Sequence, residues 1–264
     1  MRVATFNIEH GAAAVGSDQH GVIPDAKSLL VLADQLRALH PDVLCLQEVD
    51  QAQRRSGGLN QAEILSRELG MPHYRFAAFW QGWVSGPRWQ PLRSDAGGRM
   101  AFGIATFSRL PVTSWHVNTM GTRIPRLKWH RGGGWNPAQR IGVVDTTRTV
   151  LAAQVATPSG SVSIANTHLA ADLAVARHQL GEVVDSLRTL PAPHVLAGDL
   201  NLEFVYGTVP GMRQLAVGDT FTNARPQRQI DHIFGSPEVR VEATGVESLG
   251  FSDHRLLWAD LSFH

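Results

Sequence analysis

Cysteine is almost absent. The 264 residues hold one, Cys45, so no disulfide can form within the chain. That fits a reducing compartment, and Cys45, inside the apolar run Val-Leu-Cys-Leu, reads as a small buried hydrophobe. No Cys–His cluster points to zinc. Lysine is scarce as well: Lys27 and Lys128 are the only two among 24 basic residues. GC-rich coding explains the arginine bias at least as well as a need for bidentate phosphate contacts. The N-terminus, Met-Arg-Val-Ala-Thr-Phe-Asn, has no long apolar stretch and no small-residue cleavage site, so no secretory signal is expected. Every apolar run is strand-length and too short to span a bilayer. A formal net charge of +1 draws polyanions weakly, so a nucleic-acid partner would have to meet a local patch. Together these absences predict a cytoplasmic protein without a membrane span. A hydrophobic share of 43% and a charged share of 18% are those of a globular chain.

What is present is a series of short apolar runs. Arg2–Phe6 reads as a strand. Leu29, Leu32, Ala33, Leu36 and Leu39 recur at helical spacing between Asp25 and His40, with Pro24 and Asp25 at the start and Pro41 as the stop. Val43–Gln47 then reads as a short buried strand. Asn60 with Glu63 looks like the N-terminal cap of a second helix, closed by Gly70. Further strands are expected at 74–80, 101–107, 112–117, 149–156, 162–166, 194–198, 229–234, 239–246 and 256–261, and a third helix at about 172–190. Residues 81–98 and 121–137 are rich in Gly, Pro, Arg and Trp without a clear period and read as long loops. No polar linker divides the chain, so one domain over residues 1–264 is expected. Many strands with few helices suggest two mixed sheets packed face to face with helices outside.

Polar residues punctuate the strand ends. Asn7 and Glu9 follow Val-Ala-Thr-Phe, Glu48 follows Val-Leu-Cys-Leu-Gln, and Asp199 with Asn201 follows Val-Leu-Ala-Gly. His168, Asp231, Asp253 and His254 occupy similar places. Polar groups beside strand cores need a partner or a task. Carboxylates gathered without matching Lys or Arg repel one another unless a cation lies between them, and hard oxygen donors of this kind suit Mg²⁺, with Mn²⁺ as a substitute. Singly, each residue also has an ordinary reading: Asn7 as a strand end bonded to its own backbone, Glu48 as a solvated terminus, Asp199-Leu200-Asn201 as turn chemistry, His168 as a satisfied interior histidine.

Six blocks carry a resemblance: Thr5-Phe6-Asn7-Ile8-Glu9, Leu46-Gln47-Glu48-Val49, Asn166-Thr167-His168-Leu169, Gly198-Asp199-Leu200-Asn201, Ile230-Asp231-His232-Ile233 and Ser252-Asp253-His254. In this order they resemble the endonuclease/exonuclease/phosphatase superfamily, the group of DNase I, abasic-site endonucleases, neutral sphingomyelinases and inositol-polyphosphate 5-phosphatases. The resemblance implies a four-layered α/β sandwich, with the site where loops of the two sheets converge. It makes Glu48 the principal Mg²⁺ ligand, supported by Asn7 and Asp253, with Glu9 assisting. Asp199 would orient and deprotonate the attacking water, Asn201 would hold the phosphate or that water, and His254, buttressed by Asp231, would contact the phosphate. His168 resembles the histidine of the DNase I and sphingomyelinase branches rather than the tyrosine of abasic endonucleases.

Substrate contacts are expected from Arg148, where a strand begins, and from the basic segment 123–131, in which Arg126 and Trp129 could grip a phosphate and stack a base. An ordinary solvated loop fits the same segment. Trp80, Trp83 and Trp89 could line a cleft or pack their loop. The reading is a monomeric Mg²⁺-dependent phosphodiesterase acting on nucleic acid. Its competitors are a phosphatase or phospholipase C-type enzyme and, third, a non-catalytic binding protein on the same scaffold.

Overall fold

The computed structural model describes residues 1–17, 20–82, 90–91, 100–121, 127–131, 140–144, 147–204 and 209–263, with the backbone alone for 90–91, 127–131 and 140–144. Along the chain run β1 (Arg2–Asn7), α1 (Ala26–Ala38), β2 (Val43–Gln51), α2 (Gln61–Leu69), β3 (His73–Gln81), β4 (Gln90–Pro91), β5 (Ala101–Ser108), β6 (Val112–Met120), β7 (Leu127–Arg131) and β8 (Arg140–Val144). Then follow β9 (Arg148–Thr157), β10 (Gly160–His168), α3 (Leu173–Arg188), β11 (His194–Asp199), β12 (Arg213–Gln214), β13 (Asp231–Gly235), β14 (Val239–Glu247) and β15 (Leu256–Phe263). Two short 3₁₀ turns lie at Glu9–Gly11 and Arg54–Ser56.

All the described strands except β7 and β8, which pair with each other, form two mixed sheets. One has the order β14-β15-β1-β2-β5-β3-β4 and the other β12-β13-β11-β10-β9-β6. Among the described strands, only the central pairs β1–β2 and β10–β11 are parallel. Period-2 alternation decides which residues face the opposite sheet. Val3, Val43, Cys45, Ile164, Val195, Ala197, Ile233 and Leu257 meet between the sheets. Their neighbours Ala4, Phe6, Leu44 and Leu46 point outward under Leu29, Leu32 and Leu36 of α1 and Leu65 of α2. On the far side α3 packs Val183 and Leu187 over Leu196 and Phe234. The result is four layers, helix–sheet–sheet–helix. Each fully buried leucine contributes about 2 kcal/mol of transfer free energy.

The helix boundaries follow their caps. Asp25 accepts from the backbone N–H of Ser28 at 2.8 Å while Ser28 Oγ accepts from that of Asp25 at 2.9 Å. Asn60 accepts from the backbone of Glu63 at 3.3 Å, and Gly70 closes α2 at φ 63°. Three expectations are corrected. The segment 81–98, read as a loop, contains β4, which pairs with the end of β3. The segment 121–137, read as a loop, contains β7, which pairs with β8. A hairpin whose strands pair across intervening residues leaves no local period to detect. The strand expected to end at Gln47 runs on to Gln51 through a register shift between Leu46 and Val49. Cys45 is fully buried, and burial pushes its thiol up to about 12, so it is an inert hydrophobe as expected.

Candidate active site

The inward faces of the central strands change character along their length. At one end they are Val3, Val43 and Ile164; two residues on they become Thr5, Cys45 and Asn166, and then Asn7, Gln47 and His168. Gln47 donates to Thr5 Oγ1 at 3.0 Å and to Asn166 Oδ1 at 2.8 Å. Asn166 donates in turn to the backbone carbonyls of Leu46 at 3.1 Å and Ala105 at 2.9 Å. This satisfied buried network stitches the two sheets together below the site. Sequence reasoning gave neither Gln47 nor Asn166 a role; a polar inward position between apolar ones on both strands was the available signal.

One rung of the second sheet carries His168, Asp199 and Asp231, because His168 pairs with Asp199 and Asp199 with Asp231. Gly198 makes this rung possible. It sits at φ 151°, and a Cβ there would lie 2.0 Å from the carbonyl oxygen of Thr167. Asn7 ends β1 opposite them. Strict alternation would turn Glu48 away from this face. The bulge, with Glu48 at φ 55°, turns it back, and its Oε1 accepts from Asn7 Nδ2 at 3.3 Å.

The same amide donates to Asp199 Oδ2 at 3.0 Å and lies 3.5 Å from His254 Nε2. His254 Nδ1 is 2.8 Å from Asp231 Oδ2, and its Nε2 is 3.8 Å from Asp199 Oδ2. His168 Nε2 is 3.3 Å from Asp199 Oδ2. Asn201 donates its backbone N–H to Asp199 Oδ1 at 3.0 Å and its side-chain amide to the carbonyl of Leu169 at 3.0 Å. Asn7, Glu48, His168, Asp199, Asn201, Asp231 and His254 therefore come together.

Glu9 and Asp253 stand at the rim. Glu9 Oε2 accepts from the backbone N–H of Asp253 at 3.1 Å, while the Asp253 side chain is 40% exposed, with Oδ1 3.8 Å from His254 Nε2. Among the described residues neither is hydrogen-bonded to Glu48, which pairs with Asn7. Arg148 is buried, its guanidinium 5.0 Å from the ring centre of Phe79, whose ring meets His168 edge-on at 6.0 Å. Arg126 lies outside the described residues, as do Arg123, Trp83 and Trp89, and of Trp129 only the backbone in β7 is described. Glu9, Glu48, Asn201 and Ser252 all hold left-handed backbone conformations. Strained non-glycine residues of this kind cluster where geometry serves function.

Electrostatics separates the two imidazoles. Burial opposes charge on His254, but Asp231, then Asp199, overcome it and push the ring up to about 10. Burial holds His168 down to about 4; Asp199 resists, while Arg148 and His254 reinforce. A neutral His168 that donates Nε2–H to Asp199 leaves Nδ1 as a bare acceptor, which agrees with that buried atom having no partner. Since the folded-state value lies below the unfolded value of about 6.5, the unfolded chain takes up this proton first. The contribution of His168 to stability is present above about pH 6.5 and is lost as pH falls towards 4. Urea midpoints at pH 7.5 and 5.0 are expected to drop further for the native chain than for His168→Gln; equal drops would show that the ring is not held neutral.

Glu48 is the group most in need of a cation. Burial raises it to about 7, against the Asn7 hydrogen bond and the charges of Arg55 and His254. No basic side chain forms an ion pair with it among the described residues. Asp199, Asp231 and His254 also bring one ligand atom each within 4.8 Å of the others, though His254 Nδ1 is already committed to Asp231. The donor set is carboxylate, amide and imidazole, with no thiolate, and it fits a hard divalent ion.

The profile of the Endonuclease/Exonuclease/phosphatase family matches residues 4–254, from β1 to His254. The chain belongs to this family. No curated protein matches the sequence significantly. Among solved structures, an endonuclease/exonuclease/phosphatase from Beutenbergia cavernae superposes over all of this chain and 71% of its own, with 23% identity and a TM-score of 0.69. A mannosyl-6-phosphatase from Bacteroides thetaiotaomicron covers both chains fully at 18% identity and TM-score 0.66. The human nocturnin catalytic domain with bound sulfate matches all of this chain and 93% of its own at 18% and 0.60. These likenesses carry the family's two-sheet fold, and the family as a whole hydrolyses phosphate esters.

Proposed function

We propose that this chain is a Mg²⁺-dependent phosphodiesterase acting on nucleic acid, with Mn²⁺ as a possible substitute. The carrying observation is the cluster in which buried Asn7, Asp199, Asp231 and His254 meet half-buried Glu48 at the strand ends of the two sheets. Glu48 and Asn7 would hold the ion, with Glu9 and Asp253 at the rim. When bound, the ion would supply positive charge to the phosphate oxygens and the leaving group.

The protein's own groups do the rest. Asp199, fixed by the backbone N–H of Asn201, accepts the proton of an attacking water. His254, cationic through Asp231, donates Nε2–H to a non-bridging oxygen as charge develops. His168 stays neutral, orients Asp199 and offers a hydrogen bond without adding charge. Asn201 and Arg148 would steady the phosphate.

A second reading, a phosphatase or phospholipase C-type enzyme, draws support from the net charge of +1, which gives a polyanion little long-range attraction. The test is a panel with Mg²⁺ or Mn²⁺ on supercoiled and single-stranded DNA, RNA, sphingomyelin, inositol phosphates and bis-p-nitrophenyl phosphate. DNA nicking that weakens steeply with salt and stops with chelator is expected. Cleavage confined to monoesters would eliminate the nuclease, and turnover of nothing would revive the binding-protein alternative.

A further inference from the structure

Two arginines stand on a row of aromatic rings along one wall of the site. Phe102 and Phe79 meet edge-to-face at 5.0 Å. The guanidinium of Arg55 lies 4.7 Å from the ring centre of Phe102, and that of Arg148 lies 5.0 Å from Phe79. Arg55 is also clamped through Nε and Nη2 to Asp50 at 2.9 and 2.8 Å, and fully buried Asp50 takes a further bond from Ser56 Oγ at 2.9 Å. Its remaining amino group, Nη1, donates to nothing among the described residues, and the side chain is 22% exposed.

Arg55 is close enough to the site for its charge to favour the ionised form of Glu48 and the neutral form of His10. Gln61 ties these parts together, accepting from the backbone N–H of Asp50 at 2.8 Å and donating to the carbonyl of His10 at 2.6 Å. His10 holds a left-handed conformation, and its Nδ1 is buried without a partner. A guanidinium fixed on two sides loses little freedom on gripping a phosphate.

We propose that Arg55 binds a second, uncleaved phosphate group of the substrate next to the scissile ester. The site thereby selects esters that carry two phosphates close together. This rests on the phosphoesterase reading above and adds its substrate class.

The experiment compares kcat/KM for a thymidine dinucleotide with and without a 5′-phosphate, alongside inositol 1,4-bisphosphate and inositol 1-phosphate. The two pairs separate a strand-borne from a sugar-borne second phosphate. In at least one pair the native chain should prefer the doubly phosphorylated member roughly tenfold or more, the scale of one charge-assisted hydrogen bond. Arg55→Gln alone would leave Asp50 buried and unpaired, so the informative variant is Arg55→Gln with Asp50→Asn, which removes both charges. In it the preference should collapse towards one, while Asp50→Asn alone retains it. A preference that survives the double change would overturn the proposal, as would equal losses on both members of a pair. Native activity without any preference would overturn it while leaving the hydrolase reading intact. A native chain inactive on all four esters would remove both.

Discussion

Asp199→Asn is expected to lower kcat on a phosphodiester by about 10³-fold, within the range that a positioned base supplies. The substitution keeps the shape and an oxygen to accept from the backbone N–H of Asn201, now at 3.0 Å. What it removes is the only group in the cluster that touches Asn7, His168 and His254 together and could take up a proton. It also withdraws one of the charges that keep His254 protonated. Far-UV circular dichroism should be unaltered, since the rung His168–Asp199–Asp231 is set by backbone pairing and by Gly198. Activity within tenfold of the native chain would remove Asp199 from the proposed role.

His254→Ala should cost about 10²–10³ in kcat, roughly 3–4 kcal/mol of the barrier, as for loss of one preorganised donor. The sharper result concerns pH. Asp231, then Asp199, hold the imidazolium up to about 10, so a step needing cationic His254 should persist far above neutrality in the native protein. Asp231→Asn removes the 2.8 Å carboxylate partner and leaves burial, which favours the neutral ring. The alkaline limb of the kcat profile is therefore expected to move down by more than one pH unit in this variant. Metal loading must be saturated at each pH for the comparison to isolate His254. A limb that stays in place would mean that the proton lost at high pH belongs to another group.

Much of this site was legible because its residues lie at strand ends, where a polar side chain interrupts an apolar run. Asn7, His168, Asp199, Asp231 and His254 were all marked in this way, and the structure places them within one cluster. The caps at Asp25 and Asn60 and the stop at Gly70 were equally plain, since a helix end is local chemistry. Arg126 and Trp129 rested on composition in a segment whose side chains are not described. The hairpin β7–β8 escaped because its pairing is not local.

The sequence by itself determined the family, the alternation that sorts inward from outward residues, and the absence of thiol ligands. Only the tertiary structure decided that Glu48 faces the site. Alternation sends Gln47 inward and Glu48 outward; a bulge, fixed by how β2 registers against β5, reverses the second. Likewise Arg55 and Arg148, 93 positions apart in sequence, stand on neighbouring rings only because β5 and β3 pair. Register and ring contacts are properties of strands already assembled, and no window of sequence contains them.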